Sequence, residues 1–277
     1  MELQATLPAL RQRGNRTIHS LLVRANAPLF YSVAVASLLE ATSSQCAQRL
    51  LHLVREDAAL STWVADVWLP GKVARSQALR DYVERKWPEF DWARASEQHL
   101  ARATANGGGV GPRHAIAAHE LLSRCMAAAQ SGLFYRVLAG WADDAELGEM
   151  LSAMAHGEAQ SLDVFRGAYE ARARTQRVGF TLAWRMARAC VRTARDMHVQ
   201  LAFRAISAQC GANMSFPALS YADFLARLRL IIQRHGAIGL QGRVLLSGWK
   251  NPPASTSMEA PKHRVPKWFK PLFEATA

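Results

Sequence analysis

The sequence predicts an all-α fold: a four-helix bundle with one long crossover and additional C-terminal helices. Alanine, leucine and arginine dominate nearly all of the 277 residues. No segment alternates cleanly between apolar and polar residues at period two, so strands are not expected. Two long helical hairpins, 28–86 and 112–174, flank a glycine-rich linker, Asn106-Gly107-Gly108-Gly109-Val110-Gly111-Pro112. Two hairpins joined by one long connection define the bundle topology.

Each element has a local reason. An amphipathic lead covers about 3–24. The first long helix follows Pro28 and is expected to run unbroken to about Arg55. Asp57 or Ser61 can cap the second, which continues to about Lys86. Pro70 lies inside it and removes one backbone donor, so a kink is expected just before Lys72. Trp87-Pro88-Glu89-Phe90-Asp91-Trp92 closes the hairpin as an aromatic turn. A short helix to about Thr104 precedes the linker. The third long helix spans about 112–138, and the fourth begins at Asp143-Asp144, good N-cap chemistry, and runs to about 174. A fifth covers about 178–209, and a sixth, started by Ser220, covers about 220–235. The chain divides into a basic segment, 1–27, a helical domain, 28–249, and a Pro-rich basic tail, 250–277.

Charge narrows the function classes. The formal net charge is +12. Segments 1–27 and 250–277 carry +3 each, so the helical domain holds +6, ordinary for an Arg-rich helical protein. No nucleic-acid recognition signature accompanies the arginines. No run approaches 18 apolar residues, so no transmembrane segment is expected. The four cysteines, Cys46, Cys125, Cys190 and Cys210, form no Cys-x-x-Cys pair. They read as small buried hydrophobes of a reducing, cytoplasmic setting. The glycine linker lacks the strand, helix and Gly-Lys-Ser/Thr context of a phosphate loop.

Each hairpin repeats one pattern: a glutamate on its first helix, then a polar pair at i, i+3 on its second. Glu40 is followed by Lys72 and Arg75, and Glu120 by Glu158 and Ser161. Small or apolar residues surround each glutamate at helical spacing: Ala36, Ser43 and Ala47 near Glu40, Ala117 and Ser123 near Glu120, Met154, Ala155 and Phe165 near Glu158. All three carboxylates are therefore expected to point inward. The alternative for Glu40, Glu120 and Glu158 is a surface place at a helix edge, where Glu120 would pair with Arg124, four residues on. A buried carboxylate costs several kcal/mol unless compensated. Lys72 and Arg75 can supply the compensating charge, giving an ion-pair network that needs no metal. The six residues are expected to converge on one interior cluster. No histidine stands at ligand spacing to it.

These residues resemble the ferritin-like superfamily, specifically bacterial ferritin-like domain proteins of the di-iron carboxylate lineage. Leu79-Arg80-Asp81-Tyr82-Val83-Glu84 with Trp87 to Trp92 is similar to one family stretch, and Gly157 to Arg166 to another. The resemblance covers about 28–174. It implies a ferritin-like bundle holding two irons or manganeses, each hairpin supplying a Glu and then a Glu-x-x-His, for oxidase or oxygenase chemistry. Here the first Glu-x-x-His reads Lys-x-x-Arg and the second Glu-x-x-Ser. Three of six ligand positions keep a carboxylate and both histidines are gone. Some ferritin-like radical proteins work without metal after similar lysine substitutions.

The expected function is binding, of a small apolar ligand or a partner protein, by a ferritin-like bundle with a degenerate, metal-free site. The alternative is a non-haem di-metal or mononuclear oxidoreductase using Glu40, Glu120 and Glu158 on iron or manganese, or Tyr or Trp redox chemistry without metal. A homo-oligomer is open in either case. Trp268, Phe269, Leu272 and Phe273 are expected to dock the tail.

Overall fold

The computed structural model describes residues 20–107, 117–175, 198–211 and 213–235, and every element among them is helical. Eight are named here: α1 (Ala27–Ala41), α2 (Ser43–Val54), α3 (Ala58–Trp63), α4 (Leu69–Lys86), α5 (Trp92–Gly107), α6 (Ala117–Trp141), α7 (Ala145–Thr175) and α8 (Tyr221–His235). Helical residues 198–207 also pack into the fold. The linker between 108 and 116, most of the fifth helix, and the docking tail lie outside the described residues. Among the described residues no helix is long and apolar enough to cross a membrane.

The cap chemistry is local. The Asn26 side chain accepts from Leu29 N–H at 3.1 Å, with Pro28 beside it at the helix start. Asp57 caps α3 through Leu60 N–H at 3.0 Å, and Asp144 caps α7 through Leu147 N–H at 3.2 Å. Ser220 and Asp223 bond reciprocally at the start of α8.

One expectation needs correction and a second gains detail. The first long helix is not continuous, because it breaks at Thr42 into α1 and α2. The Thr42 hydroxyl donates to the Leu39 carbonyl at 2.7 Å, the back-bonding that bends helices. Pro70 stands just after a change of helix type. It sits in the first turn of α4, preceded by a π-helical turn at Val64–Trp68 in which Leu69 N–H reaches the Val64 carbonyl. The missing proline donor falls where the ladder is already re-phased.

Side-chain contacts fix the helix directions. Lys72 meets Glu40, and Ser76 meets Ser37, so α4 runs antiparallel to α1. Lys72 meets Glu158, and Lys86 meets Asp144, so α4 runs antiparallel to α7. Gly132 faces Glu158, and Ala139 faces Gly148, so α6 is antiparallel to α7. It follows that α4 and α6 point the same way. Their connection travels back along the bundle, and α5, sixteen residues long, covers about 24 Å of that path.

The core has two parts. One gathers Phe30, Tyr31 and Leu38 of α1, Leu79 and Tyr82 of α4, Leu138 of α6 and Leu151 of α7. Phe30 lies within 5.0–5.3 Å of the rings of Tyr31, Trp87, Phe90 and Phe216, which explains the aromatic turn. The other gathers Leu50, Trp68, Leu121, Leu122 and Phe165. On α7, which contributes to both parts, Ala155 of one and Leu162 beside the other bound the interval that holds Glu158.

Candidate functional site

Four helices contribute one polar layer between the two apolar cores. Glu40 ends α1, Lys72 and Arg75 lie on the first turns of α4, Tyr135 comes from α6 and Glu158 from α7. Glu40, Lys72 and Glu158 are 4%, 7% and 1% exposed. Such burial is rare for these side chains unless they are paired.

The pairing is close. Lys72 Nζ donates to Glu158 Oε1 at 2.6 Å and to Glu40 Oε1 at 3.2 Å. It also lies 3.2 Å from Glu40 Oε2. Arg75 Nη1 stands 2.7 Å from the same Glu158 oxygen, and Arg75 Nε donates to the Gly71 carbonyl at 3.2 Å. The Tyr135 hydroxyl donates to Glu40 Oε1. Two cations therefore balance two carboxylates. Trp68 presents its ring 5.9 Å from Lys72 Nζ, within cation–π range.

Two glycines make room for this layer. A Cβ on Gly157 would sit 3.2 Å from Arg75 Nη1, and one on Gly132 would sit 3.2 Å from Glu158 Cβ. Burial sets the electrostatics. Burial pushes the Glu158 carboxyl up, Lys72 and Arg75 pull it down while Glu40 opposes them, and the net shift is upward. Tyr135 is pushed well above the usual tyrosine range, first by burial and then by the Glu40 charge beside it.

The expected six residues do not all meet. Glu40, Lys72, Arg75 and Glu158 form the cluster. Ser161 is buried one turn further along α7 but donates to the Gly157 carbonyl at 2.9 Å rather than to the charges. Glu120 lies elsewhere. Gly132 is the α6 residue level with Glu158; Glu120, twelve residues earlier, is about 18 Å away along the axis. There it binds Arg124, whose Nε and Nη2 lie 2.9 and 2.8 Å from Glu120 Oε1. Glu120 is buried, as expected of an inward carboxylate, but it pairs with Arg124 and not with the cluster.

Two participants were not expected. Tyr135 reads in sequence as an ordinary core aromatic. Ser76, one turn after Lys72, donates to the Ser37 carbonyl at 3.2 Å, and Trp92 Nε1 donates to Ser37 Oγ at 2.8 Å. Their signal is spacing: Ser76 repeats the Lys72 face at i+4.

The donor set does not fit two irons or two manganeses. Glu40 and Glu158 are already neutralised by Lys72 and Arg75, and among the described residues no imidazole is shown bonded to the layer. Arginine cannot ligate a metal, and it repels one. Among the described residues no group of three His, Cys, Asp or Glu side chains is arranged to hold a metal ion. The Cys125 thiol is buried and pushed up to about 12 by that burial, which makes it inert.

Comparisons with protein-family models, with curated proteins and with solved structures give no match to this chain.

Proposed function

We propose that the chain is a ferritin-like bundle in which an internal Lys–Arg–Glu network stands in place of a metal centre, and that it acts by binding a small apolar ligand. The observation that carries this reading is Lys72 Nζ, held between Glu40 and Glu158 where a metal cation would otherwise be needed. The common direction of α4 and α6 supports it too, because one long crossover is the ferritin-like arrangement. With Lys72 and Arg75 filling the interior, a ligand is better received at the surface. A groove of about 370 Å³ lies among Ala58, Leu60, Leu121, Ala168 and Ala171, with Glu56 and Arg172 at its mouth. Its size suits a small molecule, and Glu56, Asp57 and Arg172 give its lining a polar share.

Metal counting tests the first half. Protein expressed with iron and manganese in excess should hold well under one metal per chain. The triple variant Lys72→Glu, Arg75→His, Ser161→His should take up more. Two metals per chain in the unmodified protein would end the proposal. Native mass spectrometry tests the second half. A co-purifying small molecule should disappear on Ala168→Trp, which fills the groove.

A second reading rests on Tyr135. Its buried hydroxyl donates to Glu40, so one-electron oxidation by an external oxidant would leave the proton on Glu40 and a neutral tyrosyl radical. An electron paramagnetic resonance signal that is lost in Tyr135→Phe would favour this oxidoreductase reading. Silence in the unmodified protein would remove it.

A further inference from the structure

We propose that the outer face of α8 is a docking surface for an anionic lipid bilayer. Phe224 and Ile231, 1% and 8% exposed, turn one side of this helix into the bundle. At about 100° per residue, the other side is centred on Leu230, with Arg227 and Arg234 on one flank and Arg229 on the other. All four side chains are exposed, Leu230 at 53%. Among the described residues no carboxylate pairs with any of these three arginines. The one acid of the helix, Asp223, is held at its start by Ser220. Elsewhere the surface arginines go to carboxylates: Arg24 to Glu89, Arg80 to Glu84, Arg85 to Glu146. The face of α8 is cationic and has nothing of its own to balance it.

The sequence after α8 continues the pattern. Residues 221–277 hold nine Lys and Arg against three Asp and Glu, so half of the net +12 lies there. Trp268, Phe269, Leu272 and Phe273 stand among Lys267 and Lys270. The charge calls for an anionic partner. A second copy meeting this face with its own would bring like charges together. The apolar residues choose among the anions. A nucleic acid is bound through its phosphates and needs only the arginines. A bilayer offers anionic headgroups above an acyl boundary, which takes up Leu, Trp and Phe set between basic residues. Leu230 at the centre of the face therefore favours lipid. The attachment is peripheral, since among the described residues no helix is long and apolar enough to cross a membrane.

The test is sedimentation of the full chain with vesicles of phosphatidylcholine alone, and of phosphatidylcholine with an equal part of phosphatidylglycerol. The anionic vesicles should bind it, the neutral ones should not, and sodium chloride should release it. Each basic residue near an anionic surface is worth about fivefold in binding, so Arg227→Gln, Arg229→Gln and Arg234→Gln together should weaken it about a hundredfold. The three side chains are exposed, so this variant should keep its helical circular dichroism and its unfolding midpoint. Leu230→Gln keeps every charge. It should weaken vesicle binding about fivefold, the effect of one half-buried leucine, and leave binding to a single-stranded oligonucleotide unchanged. The proposal is overturned if neutral vesicles bind as well as anionic ones, or if the folded triple variant keeps full binding. It is equally overturned if Leu230→Gln costs nothing on vesicles while the unmodified chain binds the oligonucleotide, which would make the face a nucleic-acid surface.

Discussion

Lys72 and Glu158 meet at 2.6 Å across the α4–α7 interface, and fourteen residues along each helix Lys86 and Asp144 meet at 2.7 Å. The two ion pairs pin one antiparallel register at both ends. Sliding either helix by one residue would break both.

Lys72→Met should therefore destabilise the protein by about 3–5 kcal/mol, because two buried carboxylates would face each other across a lost cation. Urea unfolding measures it. A loss under about 0.5 kcal/mol would mean that the pair does not act as buried. Replacing Glu40, Lys72, Arg75 and Glu158 together with Leu or Met should recover most of that loss, since an apolar layer can match a buried ion network. If the quadruple variant is the less stable of the two, the network is worth more than its desolvation.

The two site glycines should respond differently to alanine. At Gly157 the new methyl meets the tip of Arg75, which can move, and a helical glycine-to-alanine change otherwise favours folding by about 0.5–1 kcal/mol. Gly157→Ala should be near neutral. At Gly132 the methyl meets the stem of Glu158. Gly132→Ala should cost about 1–3 kcal/mol, the range for overpacking. Equal urea midpoints for the two variants would contradict the geometry.

Stability should fall at both ends of the pH scale. Burial first, then the charges of His198 and Arg102, hold the His99 imidazole down at about 4 against an ordinary 6.5. A depressed group contributes stability that is complete above 6.5 and is lost as pH falls toward 4. His99→Leu should flatten this acid arm and raise the midpoint at neutral pH, because neither buried ring nitrogen has a hydrogen-bond partner among the described residues. At the alkaline end, burial first and then Cys210 push Tyr31 up to about 12 from 10.0, and Tyr135 and Tyr82 are raised as well. Raised groups contribute stability that is present below pH 10 and lost above it. A flat midpoint from pH 9 to 11.5 would refute their burial.

Asp144 holds three partners: Tyr82 hydroxyl at 3.2 Å, Lys86 Nζ at 2.7 Å and the Leu147 N–H. Burial alone would raise its carboxyl, but the bonds from Lys86, Leu147 N–H and Tyr82 bring it below the ordinary 3.8. Asp144→Ala loses a cap and leaves a buried hydroxyl unpaired, at about 2–3 kcal/mol. Asp144→Asn keeps the cap and should lose about half of that by the same unfolding measurement.

The all-helical class, the two hairpins and the inward glutamates on α1 and α7 were legible because small neighbours at helical spacing mark a face. Glu120 carries the same neighbours and was misplaced. Periodicity gives the side of a helix but not the level along it. That level is set by the α6–α7 turn, from which Glu120 lies twenty-one residues back to Trp141 and Glu158 only thirteen on from Ala145. Counting the same thirteen residues back from Trp141 points to Ala128, about one turn short of Gly132 and two short of Tyr135. The break at Thr42 was written in that threonine, whose hydroxyl competes for a backbone carbonyl. The π-helical turn had no comparable signal beyond the proline that follows it.

That turn behaves as an inserted residue in an otherwise ordinary α-helix. Each α-helical residue advances the chain by about 100°. Removing Asp66, which is exposed, would close the bulge and leave every outward chemical group of the segment almost unchanged. Because the wide turn already absorbs the extra residue, Lys72 and Arg75 would keep their angle to Trp63. A residue lost from the regular helix between the turn and Lys72 has no bulge to close and would swing both cations off the bundle axis: the genetic vulnerability to a change of length begins where the wide turn ends.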